Sequence, residues 1–209
     1  MKGKGMPYQL TVAVALACGL CLQASTPQLT IPEIVQKVKP GPYVASRVRE
    51  IEPVAFDYMV RNADVIVEGT LTKGRSYLSS DQRELFTDYE LAPGRPIADR
   101  GLLTMRVPGP RTPVIVRQWG GETIIDGVRV KLYDENFPPI PTQVRLLLFL
   151  KYDKESGKYE IFDGLAGAFE IGAEDRVRHL LGDLAGMSYH RVSGAPLGDV
   201  IAEIHRLGR

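Results

Sequence analysis

Arg145-Leu146-Leu147-Leu148-Phe149-Leu150 is the stretch that decides the fold, an apolar run bounded by proline on one side and by Asp153-Lys154-Glu155-Ser156-Gly157-Lys158 on the other. These stops leave too little length for a helix, so the run reads as a strand. Because successive strand side chains point to opposite faces, an uninterrupted apolar run implies cover on both sides and a central place in a sheet. The polar run after it has the composition of a hairpin loop, returning the chain into a further strand at 159–162.

Working outward, strands are expected at 65–72, 85–91, 114–119, 124–132, 145–152, 159–162 and 168–171. Asp126-Gly127 is a turn signal inside the fourth, which therefore divides into two short pieces if the turn forms. In 85–91, Tyr89 alternates with Asp88 and Glu90, as a half-buried strand requires. The stretch 93–113, with Pro93, Pro96, Pro108, Pro110 and Pro113, reads as a long connection with at most an edge strand. Pro53 suits the first turn of a short helix over 53–62 in which Ala55 and Met59 share a face. Leu197, Val200, Ile201, Ile204 and Leu207 follow helical spacing after Pro196 and predict an amphipathic helix over 196–207. Periodicity leaves 173–185 open between helix and a strand paired back on 168–171. Residues 25–52, punctuated by Pro27, Pro32, Pro40 and Pro42, read as a polar lead-in without a continuous element.

The beginning of the chain reads as an export signal. Lys2 and Lys4 precede an apolar run from Leu10 to Leu22, and Ala24 offers a small residue at the exit. This run is shorter than the roughly 20 residues that span a bilayer. Cleavage after Ala24 is one reading; cleavage after Ala17 would leave Cys18 first and open to lipidation. Cys18 and Cys21 are the only cysteines, so a mature domain cut at Ala24 relies on its core rather than on disulfides. About 185 residues remain, enough for one such core. Loss of Lys2 and Lys4 takes the formal charge from +1 to about −1, which implies neither nucleic acid nor an anionic membrane surface as partner.

The string Asn62-Ala63-Asp64-Val65-Ile66-Val67-Glu68-Gly69-Thr70-Leu71, followed by Thr87-Asp88-Tyr89-Glu90, Gly120-Gly121 and Leu147-Leu148-Phe149-Leu150, resembles a group of uncharacterised bacterial exported proteins. Their fold is similar to an OB-type barrel. The opening of the string also resembles netrin-like and metalloproteinase-inhibitor barrels, and the resemblance spans 56–171. It implies an OB-like barrel, and together with the periodicities above the chain reads as mainly β (α+β): an OB-like antiparallel β-barrel with a short helix before the first strand and an amphipathic C-terminal helix. Those inhibitors approach zinc through an N-terminal cysteine and anchor their loops with disulfides. This chain has no cysteine after Cys21, so that mechanism carries over to no residue here. The resulting division is a signal peptide over 1–24, a lead-in over 25–52, the barrel with its preceding helix over 53–172, and a C-terminal segment with a capping helix over 173–209.

Catalytic motifs are sparse: no nucleophile elbow, phosphate-binding glycine loop or zinc-binding His pair occurs. Ser188, His190 and Asp183, with His179 nearby, supply the residue types of a nucleophile, base and orienter, without a local motif that holds their geometry. Asp88 and Glu90 share a strand face and could bind a cation, but read more simply as a solvated face. Asp134-Glu135-Asn136 is rich in oxygen yet lacks the spacing of a calcium loop and reads as a polar turn. No cofactor or metal is expected.

Trp119-Gly120-Gly121, with Arg117 beside it, is the candidate binding site. The sole Trp stands next to two glycines that let a ligand or another backbone approach. The alternative is a bulge at the glycines with Trp119 in the core. Arg106, Arg111 and Arg117 could rim the site. The functional expectation is an exported, non-catalytic binding or interaction module of the bacterial cell envelope, periplasmic or extracellular, meeting an envelope protein, peptide or glycan. A secreted hydrolase using Ser188, His190 and Asp183, and a structural accessory of an envelope assembly, are the competing readings.

Overall fold

The central strand has the cover its sequence demands. In a computed structural model that describes residues 29–39, 41–48, 54–99, 114–182 and 192–208, Arg145–Asp153 is a strand whose Leu146, Leu148 and Leu150 point into one core cluster and whose Leu147 and Phe149 point into another. All five side chains are fully buried. The export signal, the Cys18 lipidation site, Arg106, Arg111 and the Asp183, Ser188 and His190 set lie outside the described residues.

In chain order the described elements are α1 (Ile31–Val38), β1 (Tyr43–Arg47), α2 (Phe56–Asn62), β2 (Val65–Leu71), β3 (Arg75–Leu78), β4 (Leu85–Asp99), β5 (Val114–Trp119), β6 (Gly121–Ile125), β7 (Val128–Asp134), β8 (Arg145–Asp153), β9 (Lys158–Ile161), β10 (Ala168–Ile171), β11 (Val177–His179) and α3 (Leu197–Leu207). Strands β8, β2, β4, β5 and β9 pair in that order, and β9 returns to β8, closing a five-stranded barrel. Counted along the chain, the barrel order is first, second, third, fifth, fourth, the OB arrangement. Full closure leaves the barrel without an open edge.

The barrel is antiparallel but for one seam. A ring of five strands is odd, so alternation of direction cannot be completed, and β5 and β9 run parallel, with Val116 opposite Tyr159 and Arg117 opposite Glu160. The other four barrel pairings are antiparallel. Val65, Val67, Tyr89, Leu91, Val116, Leu148 and Ile161 are among the side chains that fill the interior.

The lead-in segment is the largest departure from expectation. Residues 31–38 form a helix although Pro32 lies inside it, because proline at the first turn costs no hydrogen bond. Thr30 accepts the Glu33 backbone N–H at 3.4 Å while the Glu33 carboxylate accepts the Thr30 N–H at 2.8 Å, a reciprocal cap. After Pro42 the chain enters β1, which lies parallel to β7 with Arg47 opposite Asp134. Ile31 and Val35 pack on Leu85, Val128, Val130 and Leu132, so this N-terminal arm and the β6–β7 hairpin share a cluster of their own.

Other boundaries shift for local reasons. Helix α2 begins at Phe56 rather than at Pro53, and its buried face is Phe56, Met59 and Val60, with Ala55 left exposed as the N-cap. Strand β4 continues to Asp99 through Pro93 and Pro96 instead of ending at residue 91. Its prolines sit where the β2 register slips, with Val67 opposite Pro96 and Gly69 opposite Pro93, so the bulge absorbs the missing donors. Asp126-Gly127 does turn the chain, dividing 124–132 into β6 and β7. The described part of the open segment holds a 3-10 turn over Ala173–Asp175 and then β11, paired with β10 through Ile171 and Val177. Helix α3 starts after Pro196 and lays Val200, Ile201 and Ile204 against α2 and the outward side chains of β8 and β10. No helix among the described residues is long and apolar enough to cross a membrane.

Candidate functional site

Where β5 ends, two glycines turn the chain out of the barrel into β6. Gly120 and Gly121 have φ of +92° and +139°, conformations that L side chains resist. A Cβ on Gly120 would stand 2.8 Å from the Leu132 carbonyl oxygen, and one on Gly121 would overlap Thr87 Oγ1 and Ser76 Oγ. Thr87 in turn donates to the Gly120 carbonyl at 2.7 Å, and Gly120 N–H donates to the Leu85 carbonyl at 2.7 Å. The glycines therefore form the expected turn. Trp119 is partly buried: it packs against the cluster of Ile31, Leu85 and Leu132 and also lines a cavity.

The cavity measures about 190 Å³ and lies against the β4–β5–β9 wall of the barrel. Phe86 comes from β4, Arg117, Gln118 and Trp119 from β5, Glu160 and Ile161 from β9, Arg47 and Asp134 from the ends of β1 and β7, Phe137 and Ile140 from the β7–β8 connection, and Gly164 and Leu165 from the 3-10 turn Gly164–Gly167. Gln118 ties that connection to the barrel: its amide donates to the Pro138 carbonyl at 2.9 Å and its oxygen accepts the Ile140 N–H at 3.2 Å.

Arg47 is the residue that the sequence did not single out. Its guanidinium carbon stands 3.5 Å from the Trp119 ring centroid and its Nε donates to Asp134 Oδ2 at 3.1 Å. Asp134 is 4% exposed, and its other oxygen accepts the Asn136 N–H at 3.1 Å, so Asp134-Glu135-Asn136 is a turn that also anchors a cation. Glu135 accepts a bond from Ser46 at 2.7 Å. The indole Nε1 of Trp119 is buried and has no hydrogen-bond acceptor among the described residues.

Asp88 and Glu90 share a strand face but not an environment. Glu90 is exposed, whereas Asp88 accepts bonds from Tyr77 Oη at 3.0 Å, from Arg117 Nε at 3.4 Å and from Lys158 Nζ. Burial pulls the Lys158 pKa down, but the hydrogen bonds to Asp88 and Tyr77 and the Asp88 charge outweigh it and raise the value above its ordinary one. Arg117 also lies 4.9 Å from the Phe86 ring centre. Among the described residues no cluster of three metal-ligating side chains occurs.

His179 is a core residue. It is 2% exposed, packs edge-on against Phe169, and uses both ring nitrogens, Nε2 toward the Ala166 carbonyl at 3.0 Å and Nδ1 accepting the Leu181 N–H at 3.3 Å. Burial lowers its pKa below the ordinary 6.5, and the Ala166 bond offsets this only in part. The unfolded imidazole therefore binds a proton more readily than the folded one, so this group costs stability as the pH falls through about 6.5 and contributes no slope well above it. Thermal melts between pH 7.5 and 5.5 should show a falling Tm, with a shallower decline in His179→Gln; equal slopes would contradict the assignment.

A scan against protein-family models finds none that matches this chain, and a search of curated proteins finds no match.

Proposed function

We propose that this protein is a non-catalytic binding module of the bacterial cell envelope and that the Trp119 cavity is its ligand site. The observation that carries the reading is the convergence of Arg47, Arg117 and Trp119 on one cavity, from two strands distant in sequence, beside a glycine turn that admits no side chain. The cavity lining mixes apolar side chains, such as Phe86, Phe137 and Ile140, with fixed polar ones, the combination that orients a small ligand. The basic and apolar pattern of the first 24 residues supports export.

Two measurements test the reading. In a thermal-shift screen of the full chain, a ligand of this cavity raises Tm for the native protein and raises it much less for Trp119→Leu; equal shifts in both would place binding elsewhere. Cell fractionation with intact-mass measurement should find the chain outside the cytosol with the residues through Ala24 removed. An acylated Cys18 would instead mark a lipid-anchored form, and an uncut cytosolic chain would refute export.

A further inference from the structure

Arg117 is a partly buried cation whose terminal nitrogens reach solvent and meet no protein acceptor among the described residues. Its side chain is 15% exposed, and its one hydrogen bond among the described residues runs from Nε to Asp88. Asp88 also serves Tyr77 and Lys158, so Arg117 shares its counter-ion rather than owning it. Among the described residues no acceptor takes the four N–H groups on its two terminal nitrogens. Glu160 stands opposite Arg117 in the parallel register. A buried guanidinium normally satisfies its fork with a planar pair of oxygens, because the geometry of two parallel N–H donors matches a carboxylate.

The same cavity is walled by Phe86, Trp119, Phe137 and Ile140. The cavity is open to solvent on one side, and its volume of about 190 Å³, against about 150 Å³ for an enclosed space that accepts benzene, has room for one ring and one small polar group.

We infer that the cavity is a receptor for a small aromatic monocarboxylate of roughly the size of benzoate, with Arg117 as the carboxylate clamp and the apolar wall holding the ring. This assignment rests on the binding-module reading above and adds the ligand class. The body of the ligand is set by volume and the head group by the unused fork. An acylated amino acid is larger than about 190 Å³ and would have to project through the open side of the cavity.

The test is titration of the purified full chain, read by fluorescence of the sole Trp and by calorimetry, with benzoate, its neutral isostere benzamide, acetate and N-acetylphenylalanine. Benzoate should bind saturably at one site, and benzamide and acetate about tenfold or more weaker, since the first lacks the charge and the second the ring. Arg117→Gln should lose benzoate by about tenfold or more while benzamide changes little; Arg117→Lys, which keeps the charge and the Asp88 pair, should retain the fold and still bind benzoate less well than Arg117. Benzamide binding as tightly as benzoate would overturn the carboxylate assignment and leave the binding module standing. Undiminished benzoate affinity in Arg117→Gln would overturn the clamp, and N-acetylphenylalanine binding as tightly as benzoate would overturn the size limit. No response to any of the four refutes this ligand class, whereas the thermal-shift screen decides the binding module separately.

Discussion

Gly121→Ala lowers the stability of the fold by about 3–5 kcal/mol, combining backbone strain with overpacking. Strain arises because φ at this position is +139°, outside the range that alanine adopts without cost. Overpacking arises because the new methyl group meets two hydroxyls that cannot turn aside freely. Thr87 Oγ1 is held by the Gly120 carbonyl, and Ser76 Oγ lies 2.9 Å from Thr87 Oγ1 and accepts the Glu122 N–H at 3.2 Å. Relief would break this set and loosen the exit of β6 from the barrel. Gly127→Ala separates the two causes: Gly127 has φ of +78°, and a methyl group there would meet nothing within 4 Å, so it should lose only about 1 kcal/mol. Urea unfolding of both variants checks this, and a Gly121→Ala loss no larger than that of Gly127→Ala would show that the contact is easily relieved.

Asp88→Ala should cost about 2–3 kcal/mol, less than a fully buried pair because its partners keep some contact with water. Removing the carboxylate leaves Lys158 and Arg117, 24% and 15% exposed, as neighbouring like charges on the same wall, and deprives Tyr77 of its acceptor. The double variant Asp88→Ala with Lys158→Met should recover part of the loss, since it removes one stranded cation and restores apolar cover beside Tyr77. A double-mutant cycle reads the coupling directly. If the single variant loses under about 0.5 kcal/mol, the network is no better than an exposed surface pair.

The barrel is legible because its signals are local. Val114–Trp119 and Ala168–Ile171 stand where their sequence delimits them, and the doubly apolar run around Leu148 announces a strand covered on both faces. The N-terminal arm departs from its reading because proline weighs there as a breaker, while the reciprocal Thr30–Glu33 cap, present in the sequence, carries the helix past it. Strand β3 escapes the sequence for a different reason. Its four residues alternate weakly, and its place depends on pairing with β4, where Ser76 meets Thr87 and Tyr77 meets Phe86. At the site, Trp119, Gly120, Gly121 and Arg117 are visible as neighbours along the chain, but Arg47 is not.

What the sequence determined by itself was the extended runs of the barrel, the turn at Asp126-Gly127 and the C-terminal amphipathic helix, because each follows from side-chain period or backbone sterics within a few neighbouring residues. Tertiary structure alone decided that β9 closes the ring in parallel, that His179 is a core residue, that Asp88 holds two cations, and that Arg47 stacks on Trp119. Those outcomes depend on which distant strands lie side by side, and burial and electrostatic pairing act on that proximity rather than on order along the chain.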